Sequence, residues 1–255
     1  MDIVQAAVLG LVEGTTEFLP ISSTGHLIVV GAWLGIAQDE AKTAFDVIVQ
    51  LAAILAVVIT CRDKFTRAHV DLWRKVILAF IPIGVAGVLA GGWVEGLFSV
   101  QVVAVAFIAG GVIFLLVEYF NQDDCSHVIR VEDLTRRQAA WIGVAQVFAL
   151  IPGTSRAGAT IIGALLVGSD RRTSAEFSFL LALPVMIATT GYEAVKHHQA
   201  FGDGDLVALG MGFITAFTVA WLTMRWLLRF VARFTFVAFG IYRILFGLAL
   251  LIWFS

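Results

Sequence analysis

A chain of 255 residues that is 60% hydrophobic and 14% charged, with a mean hydropathy of +0.93, carries too little charge for a soluble domain of its size. The net charge of −2 comes without a basic patch, which sets nucleic acid aside as a partner. Charge-free continuous runs such as Val100 to Val117 argue against the alternating pattern of a β-barrel and predict an all-α, polytopic membrane protein.

In chain order, no Lys or Arg precedes the first apolar run, and no small-residue cleavage site follows it, so a removable signal peptide is not expected. From Asp2 to Leu34 the chain is apolar but broken at Pro20, giving two pieces each too short to cross a bilayer core; a re-entrant helical hairpin is expected. Ala44 to Thr60 reads as the first full span. The loop Arg62 to Lys75 is the most basic of the chain and is assigned to the cytoplasm. Val76 to Gly92 returns to an outer turn, Trp93 to Ser99, and Val100 to Phe120 comes back to the long inner connection Asn121 to Gln138. The small-residue run Gly84 to Gly92 suggests close helix packing. Cys61 and Cys125 sit at the ends of apolar segments, with no metal-site spacing, and are read as free thiols.

The second half repeats this order. Ala139 to Val167 is again apolar and broken at a proline, the basic loop Ser169 to Thr173 follows, and Ser174 to Ala194, Leu206 to Met224 and Phe234 to Phe254 read as spans. Asp203 to Asp205 marks an outer loop, and Arg225, Arg229 and Arg233 mark the inner side. Pro20 and Pro152, Ser23 and Ser155, and Phe45 and Phe177 all differ by 132 in residue number. An odd number of spans in each half predicts a single membrane domain made of two inverted-topology repeats, 1–121 and 136–255, with six transmembrane helices and two re-entrant hairpins whose tips meet.

The chemistry is concentrated at those tips. Glu13 to His26, EGTTEFLPISSTGH, places two carboxylates four residues apart, several hydroxyls and an imidazole in an apolar region, where such groups are costly unless they have a function. The second tip, PGTSRAGAT from Pro152 to Thr160, offers glycines, hydroxyls and Arg156 ahead of a helix N-terminus, which suits an anion. Carboxylates facing a phosphate imply a hard cation between them, Mg²⁺ or Ca²⁺. Phosphoryl transfer uses every member of the set, with Ser23 or His26 as nucleophile. Arg243, near the middle of the last span, either reaches this site or pairs structurally, for example with Asp46 or Glu176. Ser22, Thr24 and Thr154 serve either the ligand or the broken helix ends.

The two tip motifs resemble the signatures of the undecaprenyl-diphosphate phosphatase family, the bacitracin-resistance proteins, and the similarity extends over AKTAFDVIVQLAAILAVV, EFSFLLALP, GFITAF and FGIYR. The resemblance implies hydrolysis of the C55 lipid carrier diphosphate to the monophosphate at the outer face of the bacterial inner membrane, recycling the carrier for peptidoglycan synthesis and conferring bacitracin resistance. It further implies Glu13 and Glu17 as metal-associated acids and Glu17, Ser23, His26 and Arg156 as catalytic residues. Ser22, Thr24, Gly153, Ser155, Arg156 and Thr160 would bind substrate. Ala157 stands where the family often has another serine, and Gln146 stands where the repeat would place a second Glu13. The expected partners are undecaprenyl diphosphate and membrane lipids, with a homodimer left open. The alternative function is a secondary transporter of an anionic solute or lipid on the same inverted-repeat architecture; a nucleophile beside the acids distinguishes the enzyme, since a transporter has no use for one.

Overall fold

The structure, a computed structural model, describes residues 1–37, 40–97, 99–120, 127–196 and 206–253. Cys125 and the acidic segment Asp203 to Asp205 lie outside the described residues.

Among the described residues, ten α-helices form two series of the same order, two short then three longer. The first series is α1 (Ile3–Thr16), α2 (Ser23–Trp33), α3 (Glu40–Thr60), α4 (Val70–Glu95) and α5 (Val100–Phe120). The second is α6 (Arg136–Gln146), α7 (Arg156–Leu166), α8 (Arg171–Lys196), α9 (Leu206–Phe230) and α10 (Val237–Trp253). Among the described residues, five helices are long and apolar enough to cross a membrane: α3, α4, α5, α8 and α9. The expected last span is the shorter α10, because the chain turns through 231–235 before the helix begins.

Each short pair is a helical hairpin built by the same local devices. Asp2 caps α1 by accepting from Gln5 N at 2.7 Å, and Thr135 caps α6 by accepting from Gln138 N at 3.2 Å. The same two glutamines close the hairpin bases: Gln5 Nε2 donates to Leu34 O at 3.1 Å, and Gln138 Nε2 donates to Val167 O at 2.9 Å. Each thereby occupies a carbonyl left free at the end of the second helix.

The hairpins pack on long helices of the opposite series. Gly10 and Gly14 of α1 lie against the backbone of α9, where a Cβ on Gly14 would stand 2.6 Å from Ala216 O and 2.8 Å from Ala220 N. Position 10 faces residues 212 and 216 and position 14 faces 216 and 220, so α1 and α9 run in the same direction. On the other side Arg136 of α6 pairs with Asp71 at 3.3 Å and Gly143 abuts Ala79, so α6 runs with α4. Helices α5 and α10 cross antiparallel through Gly111 on Gly240 and Gly247 on Ala104. Close backbone approach through small residues is how helices associate where no hydrophobic force is available.

Those glycines, and not the run in α4, make the tight packing. A Cβ on Gly84 would meet only the ring of Phe80 of its own helix, and one on Gly92 would meet nothing within 4 Å. Val88, Leu89 and Trp93 on the same stretch are exposed, which makes this half of α4 outer surface.

One end of the bundle collects the loops that the charge pattern had assigned to the inside. Lys64 bonds Glu132 at 2.5 Å and Glu176 at 3.3 Å, and Arg171 makes a buried ion pair with Glu118, with contacts down to 2.6 Å. Glu118 also accepts from Phe236 N at 2.8 Å. Cys61, buried at this end, is a free thiol, and burial pushes it up to about 12.

Candidate active site

The two hairpin tips meet. Pro20 and Pro152 break the helices on either side, and the backbone between α1 and α2 passes through Ser22 at φ +70°, the one described non-glycine residue in the left-handed region. The matching turn uses Gly153 at φ +90°, where a Cβ would also stand 2.6 Å from Val103 O of α5.

Arg243, 1% exposed, ties the tips together. Its Nη1 donates to Pro20 O at 3.1 Å, and its Nη2 donates to Gly153 O at 3.1 Å and to Ala106 O of α5 at 3.0 Å. The expected pairing with Asp46 or Glu176 does not form: Asp46 is held by Lys42 at 2.6 Å and Glu176 by Lys64. Two carbonyls freed by the broken helices, with a third from α5, give a buried guanidinium enough acceptors without a carboxylate. Ser155 adds a second tie, donating to Leu19 O at 3.4 Å while accepting from Gly158 N at 3.1 Å as the cap of α7.

Across this junction lies a hydroxyl–carboxylate–guanidinium chain. Ser23 Oγ donates to Glu17 Oε2, and Arg156 Nη2 donates to Glu17 Oε1 at 3.2 Å. Arg156 Nη1 donates to Ser178 O at 3.2 Å, and Ser178 Oγ lies 2.6 Å from Thr160 Oγ1. The side chains of Glu17 and Arg156 are each 12% exposed, so the cluster is sheltered yet reachable. Ser178 and its role in aiming Arg156 were not anticipated; the signal was a hydroxyl inside the apolar run EFSFLL.

Glu13, one turn before Glu17, behaves differently. It is fully buried, and neither of its oxygens has a hydrogen-bond partner. Lys42, Asp46, Glu17 and Arg156 are the charges within its electrostatic reach. Gln146, where the repeat would place its counterpart, is also fully buried with both side-chain polar atoms unpartnered.

His26 points away from this chain of contacts. Its Nδ1 lies 2.7 Å from Ser22 O and its Nε2 lies 2.6 Å from Tyr242 Oη, with the ring stacked on Phe246 at a centroid distance of 4.5 Å. A carbonyl only accepts, so Nδ1 carries the proton, and in the neutral ring Nε2 accepts from the tyrosine hydroxyl. Of the other expected contacts, Thr24 is exposed, Ser22 is buried, and Thr160 donates within α7 to Arg156 O or Ala157 O.

Residues 6–249 match the family model described as Bacitracin resistance protein BacA. The chain belongs to this family. Among its relatives it is similar to the "Undecaprenyl-diphosphatase" of Sulfurovum sp. (strain NBC37-1), at 56% identity over 98% of this chain and 99% of the relative. It is 55% identical to "Undecaprenyl-diphosphatase 2" of Pseudoalteromonas translucida (strain TAC 125), over 98% of each chain. It is 49% identical to the "Undecaprenyl-diphosphatase" of Methanococcus aeolicus, over 100% of this chain and 99% of that one. As a BacA family member with several helices of membrane-spanning length and composition, the chain is a multi-pass membrane protein.

Proposed function

We infer that the chain is an undecaprenyl-diphosphatase, hydrolysing undecaprenyl diphosphate to undecaprenyl phosphate and inorganic phosphate. End-to-end similarity to BacA relatives carrying that name supports the reaction. The observation that carries the site is the Glu17 carboxylate, which bridges the Ser23 hydroxyl and the Arg156 guanidinium. A carboxylate bonded to a hydroxyl is a general base beside a nucleophile, and a guanidinium within reach of both is a phosphate clamp.

Ser23 Oγ attacks the terminal phosphorus while Glu17 takes its proton and passes it to the departing lipid phosphate as the bridging P–O bond breaks. Water then attacks the phosphoseryl group, Glu17 takes a proton from that water and gives it to Ser23 Oγ, and the Oγ–P bond breaks to release inorganic phosphate. Arg156 holds the non-bridging oxygens and stabilises the charge developing on them. Thr160 and Ser178 keep the guanidinium aimed, and Ser155 fixes the tip that carries it. His26 acts as a positioning residue: both ring nitrogens are engaged, and its bond to Ser22 O sets the backbone immediately before Ser23.

Glu13 and Glu17 fit a divalent cation, Mg²⁺ or Ca²⁺. The buried oxygens of Glu13 have no hydrogen-bond partner, and a hard cation held by one or two carboxylates would supply a partner. When bound, it would neutralise the repulsion between the acids and the diphosphate.

The chain reads as two inverted-topology repeats, 1–121 and 136–255, with α10 as a sixth span and the two hairpins as re-entrant elements. The shared hairpin closures, and the reciprocal packing of α1 on α9 and α6 on α4, support this. The arginine-rich end lies in the cytoplasm by the positive-inside rule, and the Glu17–Ser23 hairpin enters from the opposite end, open to the outer face of the inner membrane.

The test is phosphate release from undecaprenyl diphosphate by the purified, folded protein with added Mg²⁺ or Ca²⁺, and again after chelation. Release under either ion supports the reading, and its absence under both rejects it.

A further inference from the structure

At the arginine-rich end, well removed in sequence from the tips, a cavity of about 510 Å³ opens between the start of α8 and the end of α9. Arg172, Arg229 and Arg233 line it together with Trp226, Phe230 and Phe234. No carboxylate is among its walls, and among the described residues none of the three guanidinium groups forms an ion pair with Asp or Glu.

Arginines at the cytoplasmic edge of a membrane protein are ordinarily topology signals, and two of these three have a local reason as well. Arg229 and Arg233 sit at the C-terminal end of α9, where the helix dipole favours a cation. Arg172 has no such reason. It lies in the first turn of α8, where the dipole disfavours positive charge, and its neighbour Arg171 is already neutralised by Glu118. Two loops distant in sequence thus bring three unpaired guanidinium groups around one concave space, and the placement of Arg172 is explained by an anion.

The remaining walls say what kind of anion. Trp226 stacks on Phe230 at 4.9 Å and Phe230 on Phe234 at 5.0 Å, forming a continuous aromatic wall. Trp226 and Phe234 are about half exposed, at 48% and 58%. Aromatic rings of this kind sit at the level of the lipid headgroups, where a ligand has a charged head and an apolar tail. We propose that this pocket binds the headgroup phosphate of an anionic phospholipid, with the acyl chains passing along Trp226, Phe230 and Phe234. The guanidinium groups supply forked donors to the phosphate oxygens and the rings supply the apolar floor below it. This site is independent of the hydrolytic reading.

The test uses full-length protein in phosphatidylcholine nanodiscs, titrated with phosphatidylglycerol brominated in its acyl chains or with equally brominated phosphatidylcholine. Tryptophan quenching is read in wild type and in Trp226→Phe, and the difference isolates the signal from the pocket. The expected preference of the Trp226 component for phosphatidylglycerol is about tenfold or more in half-saturating mole fraction, given the attraction of several arginines for one phosphate. Arg172→Gln with Arg229→Gln and Arg233→Gln should bring the ratio close to one, and Arg172→Gln alone should reduce it several-fold. Arg62→Gln with Arg67→Gln, at the same end but outside the pocket, should leave it intact. Equal quenching by both lipids in wild type, or an undiminished preference in the triple variant, would overturn the proposal. Displacement of phosphatidylglycerol by millimolar inorganic phosphate would overturn the lipid assignment in favour of a free-anion site.

Discussion

Arg156 Nη2 lies 3.2 Å from Glu17 Oε1, although 139 residues separate them in sequence. The contact joins the two hairpins at the point where each helix is broken, so the site exists only once both halves have folded together. Among the described residues neither side chain forms another ion pair, which makes the pair the electrostatic hinge of the junction.

Replacing the arginine separates charge from shape. Arg156→Lys keeps a cation near Glu17 but loses the fork that reaches Glu17 and Ser178 O together. The expected result is a fall of about 10²–10³-fold in kcat, as when one oxyanion donor is removed, with Arg156→Ala lower still. Steady-state phosphate release from a long-chain prenyl diphosphate measures both.

Arg243 is predicted to be required for folding of the tips and not for chemistry. Arg243→Met leaves the carbonyls of Pro20, Ala106 and Gly153 without this donor, and each unsatisfied buried acceptor costs about 1–3 kcal/mol. Thermal unfolding in detergent should show a clearly lowered Tm, with partial recovery in Arg243→Lys. An unchanged Tm together with lost activity would move Arg243 into the chemistry.

His26 offers a discrimination by shape. Asn at this position can place an N–H where Nδ1 stands and keep the bond to Ser22 O, whereas Gln reaches toward the position of Nε2 and Tyr242. His26→Asn is therefore expected to retain several-fold more activity than His26→Gln, and Tyr242→Phe to be milder than either. A phosphohistidine trapped during turnover would instead make the imidazole the nucleophile.

Packing of α1 on α9 gives a test of the fold. Gly14→Ala drives a methyl into the backbone of Ala216 and Ala220, an overpacking that costs about 1–3 kcal/mol. Gly92→Ala meets open space and should leave Tm unchanged within error.

At the arginine-rich end, Glu132 supplies a pH dependence. Burial alone would raise its carboxyl, but the hydrogen bond from Lys64 and the charges of Lys64 and Arg130 outweigh this and hold it below its ordinary value. A carboxylate depressed on folding stabilises the protein above its unfolded value, and that contribution is lost as pH falls through the folded one. His69, 3.5 Å away, faces the same carboxylate. Glu132→Gln should therefore flatten the acid side of the Tm-against-pH curve, in the carboxylate range below pH ~5.

Much of this was legible in the residues themselves. Helix order, the two breaks at proline, and the residues of the tips follow from hydropathy, proline chemistry and the cost of charge in an apolar region, all of which act locally. What could not be read was the direction in which side chains point after the tips meet. His26 turned toward α10 because Tyr242 and a stack of aromatic rings lie there. Ser155 and Thr160 became internal ties, and Arg243 found the carbonyls of Pro20 and Gly153, which the broken helices leave free, together with Ala106 O of α5. The glycines of α4 and those of α1 look alike in sequence, and only the neighbouring helix decides which of them must be glycine.

If Glu17 is the base for Ser23, the two act as one unit, and a double-mutant cycle on phosphate release reports it. Glu17→Gln and Ser23→Ala should each lower kcat by about 10²–10⁴-fold, and the double variant should be no slower than the slower single one. Losses that multiply in the double variant, or a Glu17→Gln enzyme that turns over near the wild-type rate, would contradict it.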